Sequence, residues 1–184
     1  MFARNRSSIL SLIGMKKIGI ISDTHGYFDE KLKKVFAGVD EIWHAGDIGD
    51  MKVLHELRRL HPVKAVYGNI DDPNGDEECK QDLIFECENK KVLITHIGGY
   101  PGKYTSRVKS LLKAHPDIGI VVCGHSHIAK VMPDQHYHHI HFNPGAAGRE
   151  GFHVKRTVLR LQIDGDKIDH LELIELGKRG AIYA

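Results

Sequence analysis

The chain has 184 residues and a formal net charge of only +2. This is length for one domain with a full core and too little for two, and the near-neutral balance argues against a strong nucleic-acid or membrane footprint. Cys79, Cys87 and Cys123 form no C-x-x-C pair, which argues against a zinc knuckle or a disulfide framework and predicts free thiols in a reducing, cytoplasmic setting.

Residues 1–14, MFARNRSSILSLIG, carry two arginines and a short apolar stretch with no A-x-A site after it. They are expected to be a disordered extension, with Met15 as the functional start and 15–184 as a single domain. No segment approaches transmembrane length. Apolar, β-rich runs then follow at Lys17–Ser22, Glu41–Ala45, Val63–Tyr67, Asp82–Cys87, Lys91–Thr95 and Gly119–Cys123. Helical spacing falls between some of them, over Asp29–Phe36, over Met51–Leu60 with Asp50 as N-cap, and over Ser106–Ala114. This alternation predicts a largely parallel sheet. Ala129–Phe142 and His153–Leu176 predict strands and hairpins, with a tight turn at Asp164-Gly165-Asp166. A second, more antiparallel sheet would pack on the first, with helices outside: an α/β, two-sheet sandwich.

Five runs end in residues of a particular kind. They lead into Asp23-Thr24-His25, Asp47, Asn69, His96 and Gly124-His125-Ser126-His127. Strand ends of a mostly parallel sheet lie along one edge, where open α/β sheets bind ligands. In D-T-H and H-S-H an extended backbone would aim both outer side chains to one side. Singly these signals are weak: G-D and G-N are usually turns or caps. Together they supply two carboxylates, four imidazoles and one amide, a set suited to two divalent ions such as Mn, Fe, Zn, Co or Ni and poor for calcium. Two divalent ions against two aspartates leave the site positive, so a phosphate is the expected guest. Asn69 would add a carbonyl oxygen without cancelling that charge, and Gly68 would allow a sharp turn there.

These residues resemble the calcineurin-like metallophosphoesterases, and within them the small bacterial and archaeal phosphodiesterase branch. The matching motifs are D-x-H at Asp23–His25, G-D-x-x-D at Gly46–Asp50, G-N-x-D at Gly68–Asp71, the strand-end His96, G-H-x-H at Gly124–His127 and N-P-G at Asn143–Gly145. The resemblance implies a two-sheet αββα sandwich. It implies one metal on Asp23, His25, Asp47 and His127, and a second on Asp47, Asn69, His96 and His125, with manganese foremost. Asp47, Asn69 and His96 are then the catalytic residues, and a metal-bound hydroxide would attack phosphorus. Small phosphate esters, diesters above all, are the implied substrates, with no nucleic-acid polymer and no membrane; a homodimer is allowed by analogy. The alternative is a binding scaffold like the related retromer subunit, with little or no catalysis.

Two positions depart from the family pattern. Many members carry G-N-H-[DE], where that His serves the leaving group; here Ile70 stands there, so one general acid is absent. Ala146 replaces a serine common in the branch. Asp71 is expected to orient a loop or cap a turn, and Asp71–Asp82 to be a loop at the site rim. HYHHIHF, His136–Phe142, is expected to be a surface or edge strand, and His44 a core or ligand-supporting residue. Arg107 and Arg149 are expected to be surface charges, and Cys123 a buried thiol.

Overall fold

The computed structural model describes residues 14–180, so the expected N-terminal extension lies outside the described residues but for Gly14. The elements in chain order are β1 (Lys16–Ile21), α1 (Lys31–Val35), β2 (Glu41–His44), α2 (Met51–Leu60), β3 (Val63–Ala65), β4 (Asp82–Cys87) and β5 (Lys90–Thr95). They continue with α3 (Ser106–Ala114), β6 (Ile118–Val122), β7 (Lys130–Asp134), β8 (His139–Asn143), β9 (Lys155–Asp164) and β10 (Lys167–Lys178). Two five-stranded sheets result, in the orders β10-β9-β1-β2-β3 and β4-β5-β6-β8-β7.

Side-chain alternation explains the layering. Ile18 and Ile20 of β1, Trp43 of β2, Val92 and Ile94 of β5, Ile120 and Val122 of β6, Phe142 of β8 and the odd positions Leu159–Ile163 of β9 fill the space between the sheets. On the outer face of the first sheet, Ile21 and Ile42 meet Leu32 and Phe36 from the α1 region and Val53, Leu54 and Leu57 of α2. On the outer face of the second, Leu93 and Val121 meet Val108 and Leu112 of α3. The fold is the expected αββα sandwich. Asp50 caps α2 as its sequence position suggests, its carboxylate accepting from Lys52 N at 2.9 Å.

The division of strands differs from the sequence expectation. Both sheets are mixed. In the first, β1, β2 and β3 run parallel while β9 and β10 add antiparallel to β1. In the second, β5, β6 and β8 are parallel and β4 and β7 antiparallel at its edges. The last third of the chain is therefore shared between the sheets, β7 and β8 in the second and β9 and β10 in the first, where the backbone of β9 pairs with β1. The helix expected over Asp29–Phe36 shortens to Lys31–Val35, since Asp29 is buried in an ion pair with Arg156 at 2.6 Å and starts the helix from outside.

HYHHIHF is not an edge or surface strand. The turn at Asp134–His138 folds β7 over the open side of β8, and His139 and His141 are buried. The Tyr104 hydroxyl bridges them, 2.8 Å from His139 Nε2 and 3.1 Å from His141 Nδ1. Burial pushes the His141 pKa down to about 4. The unfolded chain therefore binds the extra proton first. Stability from this group is complete above pH 6.5 and is lost as pH falls toward 4, by roughly 2–3 kcal/mol at pH 4.5. Urea denaturation at pH 7 and pH 4.5 checks this: His141→Phe should lose that much less stability between the two pH values than the wild type.

A candidate metal centre at the ends of five strands

The seven sequence-predicted residues do come together, but not along one sheet edge. Asp23, Asp47 and Asn69 follow β1, β2 and β3 of the first sheet. His96 and the His125/His127 pair follow β5 and β6 of the second. The site is assembled across the sandwich, where the carboxyl ends of both parallel sets open to the same side. Asp23, His25, Asp47 and His127 place one ligand atom each within 4.8 Å of one another, and Asp47, His96 and His125 do the same, so Asp47 belongs to both groups. Asn69 joins the second group, its Oδ1 being 3.1 Å from His96 Nε2.

The backbone carrying these residues is not extended. Asp23, His25, Asp47, His125 and His127 all hold φ between 47° and 64°, and they are five of the eight described non-glycine residues with positive φ. Such backbone strain gathers where side chains must be aimed. It is held by cross-loop bonds: Asp23 N donates to Gly46 O at 2.9 Å, His25 N to Asp47 O at 3.0 Å, and His125 N to the Asp23 carboxylate at 3.1 Å. Gly68 has a role other than the expected sharp turn. A Cβ there would lie 2.1 Å from Asp47 Oδ1, so glycine is required by close approach, not by its dihedrals.

Hydrogen-bond partners decide which imidazole nitrogens are bare. The Ala45 carbonyl can only accept, so His96 Nδ1 donates to it at 2.8 Å and leaves Nε2 as a lone pair. That lone pair faces Asp47 Oδ1 at 3.1 Å and Asn69 Oδ1 at 3.1 Å. His127 Nε2 lies 3.1 Å from Asp23 Oδ1 and 3.3 Å from His25 Nε2. Acceptors converging on acceptors need a cation among them, and this N/O donor set fits divalent transition metals. Without one, a proton serves: burial disfavours charge on His96, but the Asp47 carboxylate outweighs it and raises the His96 pKa. Burial likewise opposes the Asp47 charge, and His96 overcomes it to hold that carboxyl below its usual range.

The residues around the site are also bonded into it. Gly46 N donates to His44 Nδ1 at 3.1 Å, so the His44 proton sits on Nε2 and goes to Thr24 Oγ1 at 3.0 Å, whose hydroxyl donates to Ile48 O at 3.0 Å. Full burial pushes His44 down to about 4, which keeps this relay neutral. Asp71 accepts from Ile48 N at 3.0 Å, Gly49 N at 2.8 Å and Gly68 N at 2.7 Å, tying the β2 and β3 loops together. Asn143 of the N-P-G motif donates to Gly124 O at 2.8 Å and Ser126 Oγ at 3.1 Å, securing the G-H-S-H loop.

Residues 15–166 match the model of the calcineurin-like phosphoesterase superfamily domain. The chain belongs to this superfamily. A protein of Methanothermobacter thermautotrophicus named "Probable metallophosphoesterase" is 33% identical over 168 residues, covering 87% of this chain and 92% of that one. Among solved structures, one described as a novel archaeal phosphodiesterase superposes with a TM-score of 0.65 at 24% identity, covering 87% of this chain and 99% of that one. Zinc-bound Vps29 from Entamoeba histolytica superposes with a TM-score of 0.64 at 15% identity, covering 88% and 98%. Both share the fold. Membership in the superfamily makes this a metal-dependent phosphoesterase with divalent metal cofactors.

In this phosphoesterase the Ile70 side chain is 47% exposed beside the centre, while its backbone N donates to Asp47 Oδ1 at 3.2 Å. Arg107 is not a free surface charge. It pairs with Asp82, donates to Thr95 Oγ1 at 3.1 Å, and lines a cavity of about 190 Å³ with Tyr67, Asn69, Gln81, His96 and Ile97. Arg149 lies over the Tyr27 ring and donates to its hydroxyl at 2.7 Å. The three cysteines are buried and unbonded, with burial raising each thiol pKa, Cys123 to about 12. Sequence reasoning misses His153, which touches His127 from a glycine-rich loop and carries no ligand-like spacing. No helix among the described residues is long and apolar enough to cross a membrane.

Asp71 offers a direct test of how the loops are held. Asp71→Ala strands three backbone N–H groups and should lower unfolding free energy by about 2–3 kcal/mol. Urea denaturation measures it, and a change within experimental error would show that the loops hold their register without this carboxylate.

Proposed function

We propose that this phosphoesterase hydrolyses small phosphodiesters at a dinuclear centre. In this reading one cation is held by Asp23, His25, Asp47 and His127 and the other by Asp47, Asn69, His96 and His125. The observation that carries it is Asp47, common to two converging groups of acceptor atoms. When bound, two divalent cations, manganese foremost, would generate a nucleophile from water near neutral pH and neutralise phosphate oxygens.

The protein's own residues do the positioning. Asp47 holds both halves in register, and Asn69 completes the second half without adding negative charge. Each cation brings a charge of +2 against −1 from each aspartate, so the filled site stays cationic and draws an anion. The Ile70 side chain can neither protonate an oxygen nor donate a hydrogen bond. The departing group must therefore leave with little help from this position, which suits esters of acidic alcohols and phenols. Arg107 lines the same cavity beside His96, its charge paired with Asp82. Cytoplasmic residence is part of the same reading, supported by the three buried free thiols.

A binding role draws support from the rim. Ile70, Ile97, Ile128 and Phe152 expose apolar surface next to the candidate ligands. Turnover decides between the readings. Metal-stripped protein reloaded with Mn²⁺ should hydrolyse bis-p-nitrophenyl phosphate, and His96→Ala should abolish this. Two bound metals with no turnover on a panel of diesters would favour the scaffold. The leaving-group argument has its own check. Ile70→His should raise kcat for an alkyl phosphodiester by about 100-fold, the low end of general-acid effects, while changing the nitrophenyl ester little. Equal effects on both esters would count against Ile70 as the limit on leaving-group chemistry.

A further inference from the structure

His153 stands in the loop between β8 and β9, 26 residues after His127, and both are buried. Their Nδ1 atoms are 3.2 Å apart. The other nitrogen of His153, Nε2, lies 3.1 Å from the Gly148 carbonyl oxygen. A carbonyl only accepts, so His153 carries its proton on Nε2. The Nδ1 of neutral His153 is then an acceptor, and His127 must donate to it from Nδ1. That leaves His127 Nε2 bare, pointing at Asp23 Oδ1 and His25 Nε2. The opposite arrangement, with a proton on His127 Nε2, would close this face to a cation.

The loop is built to hold this pair. Gly148 N donates to Asp23 O at 2.9 Å, so the carbonyl that orients His153 belongs to a residue fastened to the other side of the same site. Gly151 has φ of 112°, and a Cβ there would lie 2.1 Å from His127 Nδ1. A side chain at 151 would thus sit on the hydrogen bond itself. Phe152 stacks offset against the His127 ring, with centroids 5.5 Å apart and planes at 12°.

We infer that His153 is a positioning residue, whose Nδ1 accepts from His127 Nδ1 and thereby sets the tautomer and ring orientation that let His127 bind a cation through Nε2. This rests on the metal-centre reading above. Partners of this kind commonly govern metal affinity by about 10–100-fold.

Co²⁺ binding to the metal-free full-length protein tests it, read by visible absorption and calorimetry. The wild type, His153→Phe and His153→Asn are compared. In the Asn variant the amide oxygen takes the place of the Nδ1 acceptor; in Phe the shape is kept and the acceptor lost. His153→Phe should weaken one of two Co²⁺ sites by about 10–100-fold and leave the other unchanged, while His153→Asn stays near the wild type. Two wild-type-like sites in His153→Phe would overturn the inference and leave the metal centre standing. Equal weakening in both variants would also overturn it, since packing alone would explain the loss. A wild type that binds no Co²⁺ would remove the metal centre itself, and the inference with it.

Discussion

The Asp47 carboxylate stands where the two sheets open, with the D-T-H loop on one side and His96 of the facing sheet on the other. Its Oδ1 is 3.1 Å from His96 Nε2 and accepts from Ile70 N, while Oδ2 is 3.8 Å from His25 Nε2. A negative charge this deeply buried persists only where positive charge or donors surround it. The strand ends around it instead bring imidazoles whose free lone pairs also point inward, so the need is left open. A positive charge, from a metal ion or from a proton on His96, is what balances this arrangement of atoms.

Holding so many acceptors face to face is costly, and the rest of the fold offsets it. Five strained backbone positions and several buried polar side chains sit at one end of a sandwich whose three core clusters are apolar. Around the ligands, carbonyls and backbone N–H groups set each proton. Ala45 fixes His96, Gly46 fixes His44, and Gly148 acts on His127 through His153. Asp71 and Asn143 each pin a loop that carries ligands. Precision in the inner residues is inherited from partners that never touch a substrate.

The same fold is shared with an archaeal phosphodiesterase and with Vps29. What separates catalysis from scaffolding lies in the site and not in the sheets. Here the candidate ligand positions are filled by residues able to bind a cation, the position proposed to serve the leaving group is apolar, and the rim carries exposed isoleucines and Phe152. These features suit a hydrolase whose substrates supply their own good leaving group. They also give the rim surface that can make contacts of its own.

The sequence by itself determined the local pieces. Alternating apolar residues placed β1, β2, β5 and β6, the Asp50 cap placed α2, and polar residues at five strand ends marked the site, because each of these signals is written within a few neighbouring positions. Tertiary structure alone decided how the pieces share the work. Whether β9 pairs with β1, and whether β8 lies inside its sheet, depends on edges that are distant in sequence, so HYHHIHF looked like one surface strand, whereas its first three residues form a turn and His139, His141 and Phe142 are buried. The strained φ values, the close approach that requires Gly68 and the contact of His153 with His127 are equally nonlocal. They arise only when two sheets meet and loops from both must share one small volume.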